Sequence, residues 1–270
     1  MDAAPKDRIA GAFAAGRSDG RALLMPYLVG GYPDEAAFVE IARAAGEAGA
    51  DALEIGIPFS DPIMDGPVIQ EASNTVLARG ATTEAMIALA GRAAAAADVP
   101  AVVMTYYNLL YAMGLERFAG AVADAGLCGV IVPDLSVEES GEWRKECAAT
   151  GIAPVFIASV TSPDDRLRAI GEASEGFVYA ASLLGVTGVR TEISSRARDL
   201  VARIRAASEL PVAVGIGVST PEHAAEVASY ADGVIVGSAL VKAIGDASEP
   251  GAAVHSFIGE LHAAVAQEDH

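Results

Sequence analysis

The chain has 270 residues, of which 52% are hydrophobic and 28 are glycine, so it can bury a large core and is not a disordered chain. Its formal net charge of −18 excludes a nucleic-acid-binding surface, which must be basic, and equally a surface for anionic membranes. The N-terminal residues are polar, no apolar run approaches the ~18 residues of a membrane span, and the two cysteines lack metal-type spacing, so we expect a cytoplasmic protein.

Short β-rich runs follow one another along the chain, with Ala-rich segments of helical period between them. The predicted strands are Leu23–Val29, Ala52–Ile57, Ala101–Tyr106, Gly129–Val132, Pro154–Ala158, Phe177–Ala181, Val212–Ile216 and Gly233–Val236. The predicted helices include Glu35–Ala48, Thr83–Ala96, Leu115–Ala125, Val137–Ala149 and Ser195–Ala207. Apolar strands that alternate with helices indicate a parallel sheet covered on both faces. The pattern predicts an α/β fold, a single (β/α)8 TIM barrel domain over residues 1–270. A doubly wound open sheet is the alternative.

The connections after the second and the sixth predicted strand are longer than one helix requires. Long connections in a compact domain are usually functional loops or lids. In a barrel they lie at the C-terminal ends of the strands, where the active site is built. We therefore expect extended loops after strands 2 and 6 to carry functional residues.

The second strand contains an acidic residue, Glu54, within an apolar run. Its neighbours Leu53 and Ile55 should face the helices, so the alternation of side chains directs Glu54 into the barrel. Burial of a carboxylate is costly without partners, so Glu54 is either a functional group or is paired with an arginine or an internal hydrogen bond. Asp65 follows in a loop shaped by proline and glycine, where it could meet Glu54 across a substrate. Asp61 in the same loop is interpreted as a turn residue.

The later connections are rich in glycine. The loop with Thr187 and Gly188 has the composition of a hinged lid, although a plain surface loop has it too. Gly217 follows the seventh predicted strand, and Gly237 with Ser238 follows the eighth and opens a helix. Backbone N–H groups at these positions of a barrel form a phosphate site without side-chain charge. The alternative is that the glycines only permit tight turns.

Several other chemistries lack the residues that they need. The four histidines fall on or after predicted helices or at the terminus, so none is a natural metal ligand or site base. None of the three lysines lies on a strand that faces a substrate, which excludes a Schiff-base aldolase. Acid–base chemistry by carboxylates remains, and we expect no metal site.

The segment from Glu54 to Pro67 resembles the catalytic segment of the tryptophan synthase alpha-subunit family, and the resemblance extends from about Pro26 to Lys242. Further matching pieces are Gly31-Tyr32-Pro33-Asp34, Met104-Thr105-Tyr106-Tyr107-Asn108, Pro133-Asp134-Leu135, Phe177-Val178-Tyr179-Ala180-Ala181-Ser182 and Gly185-Val186-Thr187-Gly188, together with the glycine ends of the last two strands. Those glycines alone would also fit a sugar-phosphate isomerase. A catalytically quiet barrel that activates a partner enzyme is a third hypothesis.

The resemblance implies cleavage of indole-3-glycerol phosphate to indole and glyceraldehyde 3-phosphate, a retro-aldol reaction. Glu54 would act as general acid and base. Asp65 would accept a hydrogen bond from the indole N–H and stabilise the positive charge that develops on the ring. Thr187 would close the lid and orient Asp65. The implied indole pocket consists of Tyr27, Met104, Ile131 and Tyr179. Phosphate would bind at Gly188, Gly217, Gly237 and Ser238.

The resemblance also implies a partner, a beta subunit that carries pyridoxal phosphate, in an alpha2beta2 complex. This chain would then hold no cofactor of its own. The docking rim would comprise the Pro58–Pro62 turn, Asn108 and the Pro133–Leu135 loop. Met64, Val68 and Tyr27 depart from the commonest family pattern, and Tyr27 adds a hydroxyl where phenylalanine is usual.

Overall fold

The computed structural model describes residues 4–181, 190–215 and 217–266. The strands are β1 Leu23–Val29, β2 Leu53–Gly56, β3 Ala101–Met104, β4 Gly129–Ile131, β5 Ala153–Val155, β6 Ile157–Ser159, β7 Val178–Ala181, β8 Val212–Gly215 and β9 Gly233–Val236. The α-helices are α1 Pro5–Ser18, α2 Glu35–Glu47, α3 Pro67–Leu77, α4 Thr83–Ala97, α5 Tyr107–Met113, α6 Leu115–Asp124, α7 Gly141–Thr150, α8 Asp164–Ala173, α9 Arg190–Ala207, α10 Pro221–Ala228, α11 Ser238–Asp246 and α12 Pro250–Val265.

The strands form one parallel sheet in the order β5-β4-β3-β2-β1-β9-β8-β7-β6. Its two ends are consecutive in the chain, because only Phe156 separates β5 from β6. β5 pairs with β4 and β6 pairs with β7, so this interrupted strand closes the sheet into a barrel. The predicted barrel is therefore confirmed, the predicted strand Pro154–Ala158 is divided in two, and the open-sheet alternative is wrong.

Side-chain alternation divides the apolar residues into an inner and an outer layer. Leu23 and Met25 of β1 lie inside the barrel, whereas Leu24 and Leu28 pack outward against the helices. The outer layer is the larger cluster and includes Trp143 of α7, whose ring lies 6.0 Å from that of Phe118. Nearly continuous apolar strands are thus explained by burial on both faces.

Helix α1 closes the N-terminal end of the barrel. Its Ile9 and Phe13 side chains are buried in the interior cluster, where the rings of Phe13 and Phe177 lie 5.2 Å apart. Gly233 leaves room for this packing, since a Cβ atom there would lie 2.9 Å from the Phe13 ring. The sequence pattern did not predict α1. With this end sealed, the opposite end is available for a site.

The long connection after β2 is a loop followed by two helices, α3 and α4. α3 begins at Pro67, where proline suits the first helical turn, and Thr82 caps α4 by accepting from the Ala85 N–H. The predicted helix Val137–Ala149 is shorter than expected. A 3-10 turn spans Val137–Glu139, and α7 starts only at Gly141. None of the helices in the described ranges is both long and apolar enough to cross a membrane.

Candidate active site

Glu54 lies on β2 and points into the barrel, as the alternation predicts. It is 1% exposed and stands opposite Tyr27 of β1 and Val102 of β3. Its Oε2 atom has no hydrogen-bond partner among the described residues, and no ion pair within the described ranges involves it. An arginine-paired structural role therefore does not account for this carboxyl group. An unpartnered acidic oxygen at a cavity wall is a group that can take part in proton transfer.

The two predicted carboxyl groups differ in their affinity for a proton. Burial, with a smaller contribution from the charge of Asp65, raises the pKa of Glu54 from 4.5 to about 8. Burial also raises the pKa of Asp65, from 3.8 to about 6, while a hydrogen bond from Tyr106 opposes this rise. Near pH 7 Glu54 is consequently protonated and Asp65 is ionised. This pairing supplies one acid and one anion within the same cavity.

Asp65 lies at the end of the loop that follows β2 and is half-buried. The Tyr106 hydroxyl accepts a hydrogen bond of 3.0 Å from the N–H of Met64, the residue before Asp65. The Asp65 carbonyl accepts from Nε2 of Gln70 in α3 at 2.8 Å. These bonds hold the backbone on either side of the Asp65 side chain.

A cavity of about 550 Å³ opens at the C-terminal ends of the strands. This volume suits a ligand of drug-like size. Its lining comprises Tyr27, Glu54, Met64, Asp65, Gly66, Ile69, Met104, Pro133, Ile157, Tyr179, Ala181, Gly215, Gly217, Val218, Ser219, Ile235, Gly237, Ser238 and Ala239. The two carboxyl groups therefore share one predominantly apolar cavity.

Two tyrosines of this cavity, on different strands, have equivalent neighbours. The hydroxyl of Tyr27 on β1 lies over Gly56 of the next strand, and that of Tyr179 on β7 lies over Gly215 of β8. A Cβ atom at either glycine would approach the tyrosine hydroxyl to 2.1 Å. Each glycine is thus required by the ring that covers it.

One wall of the cavity, called the far wall below, consists of Gly217, Gly237 and Ser238 at the start of α11. Gly237 immediately precedes this helix, and its first turn contains no acidic residue. Gly217 has a φ of +23°, which favours glycine over residues with a side chain. No lysine or arginine is among the described lining residues. An anion here would therefore bind through backbone N–H groups and the positive end of the helix dipole.

Comparison with known proteins agrees with this site. A family model described as "Tryptophan synthase alpha chain" matches residues 13–266. The chain belongs to the tryptophan synthase alpha chain family. Among its relatives, the tryptophan synthase alpha chain of Streptomyces avermitilis is 46% identical over 251 residues, covering 92% of this chain and 91% of the relative. That of Streptomyces coelicolor is 47% identical over 239 residues, covering 88% of each.

Solved structures of the family have the same fold. Tryptophan synthase from Mycobacterium tuberculosis in space group F222 superposes with a TM-score of 0.90 at 40% identity, covering 99% of this chain and 100% of that chain. Tryptophan synthase subunit alpha from Legionella pneumophila superposes with a TM-score of 0.87 at 30% identity, covering 96% and 98%.

Most of the residues that the family resemblance implied are brought together. Tyr27, Met104 and Tyr179 line the cavity beside both carboxyl groups, and Gly217, Gly237 and Ser238 line its far wall. Ile131 is not among the lining residues and is buried in the interior cluster. Thr187 and Gly188 lie outside the described residues.

Three features of the site were not anticipated as functional. Ile157 lines the cavity because it follows Val155 by two residues and therefore faces the same, inward side, while Phe156 faces outward. Ile235 of β9 forms another part of the wall. Tyr106 binds the Met64 N–H beside Asp65, although the sequence marked this tyrosine only as part of a matching segment. Over the residues described, no group of three or more His, Cys, Asp or Glu side chains could hold a metal ion.

Proposed function

We propose that this chain is the alpha subunit of a tryptophan synthase and cleaves indole-3-glycerol phosphate to indole and glyceraldehyde 3-phosphate. The observation that carries the proposal is the carboxyl pair, in which Glu54 retains a proton near pH 7 while Asp65 is ionised, inside one cavity. Family membership supplies the substrate, and the pair supplies groups suited to it.

The cleavage is a retro-aldol step in which two protons move. Glu54 donates a proton to C3 of the indole ring, which makes the ring an electron sink. The carbon–carbon bond then breaks, and its electron pair returns to the ring. The hydroxyl next to this bond loses its proton to Glu54 and becomes the aldehyde of the product. Asp65 accepts a hydrogen bond from the indole N–H and stabilises the positive charge on the ring.

The rest of the cavity binds the two ends of the substrate. We place the indole ring against Tyr27, Met104 and Tyr179, where flat apolar contacts orient it. The phosphate binds at the far wall, where Gly217 and Gly237 allow close approach of the backbone. Thr187 and Gly188 complete the site as a lid in this proposal.

The same family assignment supplies a partner. We place pyridoxal phosphate in a beta subunit, which takes over the indole, and no lysine lines the described part of this cavity to hold such a cofactor. The loop after Pro58 lies beside the site and exposes large apolar side chains, with Ile63 79% exposed and Met64 48% exposed. This loop forms a docking rim in an alpha2beta2 complex, and residues 1–270 act as one cytoplasmic domain.

The test is an assay of indole formation from indole-3-glycerol phosphate, with and without a beta subunit. Glu54→Gln and Asp65→Asn should each lower turnover at least ~100-fold, the scale of a lost acid–base group. Glu71→Gln, at an exposed position on α3, is the matched control. If the wild type forms no indole, or either site variant retains its turnover, the proposal fails in favour of an isomerase or a quiet barrel.

A further inference from the structure

A serine and a histidine form a polar pair beside the far wall of the cavity. Ser219 lines the same cavity, two residues after Gly217 in the chain. Its hydroxyl Oγ lies 3.2 Å from the Nδ1 atom of His223. His223 is not itself a lining residue. The cavity therefore presents a serine hydroxyl next to the place that we assign to the phosphate, with an imidazole ring behind it.

The start of α10 fixes the position of this pair. Thr220 is the N-cap residue, and its side chain accepts a hydrogen bond from the His223 N–H at 3.4 Å. Pro221 follows in the first helical turn, where its fixed φ suits the helix. His223 also lies in this turn, four residues after Ser219, so its ring turns back to the serine. Ser219 is exposed and His223 is half-buried, so the hydroxyl is accessible to a ligand while protein covers part of the ring.

The chemistry of a phosphate ester decides which atom of the pair must donate. The ionised oxygens of the ester accept hydrogen bonds and do not donate them, and a serine hydroxyl has a single hydrogen. Ser219 can therefore donate to phosphate only while it accepts from the ring, which requires a hydrogen on Nδ1 of His223. If Nδ1 is bare, the serine donates to the ring instead, and its hydrogen is not available to the anion.

We propose that Ser219 and His223 form a side-chain part of the phosphate site, in which Nδ1 of His223 donates to Ser219 Oγ and Ser219 donates to a phosphate oxygen of the substrate. This inference rests on the proposed function. The pair adds one directional side-chain donor to a wall that otherwise binds through backbone N–H groups, since no lysine or arginine lines the described part of the cavity. His223 acts through Ser219 and is a positioning residue.

A purely structural role for the pair has different consequences. If the bond only stabilised the start of α10, it would serve equally well with either atom as the donor. Its loss would then lower the stability of the fold and leave the affinity for an anion unchanged. Anion affinity and the hydrogen on Nδ1 therefore distinguish the two roles.

The first test is calorimetry with glycerol 3-phosphate as the probe. Ser219→Ala removes the donor and His223→Leu removes the group behind it, so each should weaken binding about tenfold, the scale of a hydrogen bond to a charged group. His223→Asn keeps an N–H donor near the position of Nδ1 and should retain most of the affinity. His255→Leu, at an exposed position on α12, is the matched control and should bind as the wild type does. In the indole assay the losses should appear mainly in KM.

A second measurement follows the ring itself by 15N NMR, with the His223 signals identified by their absence in His223→Leu. In the complex with glycerol 3-phosphate, Nδ1 should have the chemical shift of a nitrogen that carries hydrogen. A bare Nδ1 in the complex overturns the inference. So does wild-type affinity in Ser219→Ala or His223→Leu, a loss in His223→Asn as large as in His223→Leu, or a wild type that does not bind the probe. Absence of indole formation by a wild type that binds the probe would instead refute the proposed function.

Discussion

Replacement of Glu54 by glutamine should stabilise the fold, and the gain should depend on pH. The pKa of Glu54 is raised from 4.5 to about 8 in the folded chain. Between these values the unfolded chain has lost the proton and the folded chain retains it, so the stability of the wild type falls as pH rises. At about 1.4 kcal/mol for each pH unit, the loss reaches about 5 kcal/mol near pH 8. Glutamine does not titrate and removes this loss.

The assay is urea unfolding of wild type and Glu54→Gln at several pH values from about 5 to about 8. The difference in the free energy of unfolding should be small at the acidic end and grow by up to about 1.4 kcal/mol for each pH unit. Glu71→Gln, on the exposed face of α3, should show no such growth. A difference that stays flat with pH would refute the reasoning, since burial would then not hold the proton on Glu54.

Three further predictions concern the walls of the cavity. Gly215→Ala should displace the Tyr179 ring, because the new Cβ would lie 2.1 Å from its hydroxyl. The rate of indole formation in kinetic assays should then fall about tenfold or more. In the control Gly120→Ala, where a Cβ meets nothing within 4 Å, the rate should not change. Gly217→Val should weaken the binding of glycerol phosphate measured by calorimetry, and unchanged affinity would place the phosphate elsewhere. Thr187→Val should keep that affinity but lose much of the turnover, and full turnover would remove its proposed role.

The barrel was predictable from the sequence because each strand is buried on both faces and is nearly continuous in apolar residues. β1 and β9 have the predicted bounds, and Glu54 was identifiable because a lone acid in such a run is unusual. The break at Phe156 was not predictable, since it arises where the barrel closes and not from a local signal. The apolar pattern does not distinguish a residue that lines the cavity, such as Ile157, from one buried below it, such as Ile131.

The hydrogen bond of Tyr106 to the loop after β2 could not be read from the sequence for a different reason. Its partner Met64 is distant in the chain, and the contact depends on how this loop returns over the barrel. Helix α1 was missed because alanine and glycine give it only a weakly apolar stripe. In both cases the decisive contacts are tertiary, and no local pattern encodes them.

The seal at the base of the barrel has a consequence for the order of folding. α1 precedes every strand of the barrel in the chain. Its N-terminus hydrogen-bonds to Gly151 through the Lys6 N–H, however, and Phe13 packs against Phe177 and Gly233. Phe177 and Gly233 emerge from the ribosome only when most of the chain has been made, so α1 lacks this part of its native surface before then. The complete docking of α1 must therefore wait, and it reports that the last strands of the barrel are in place.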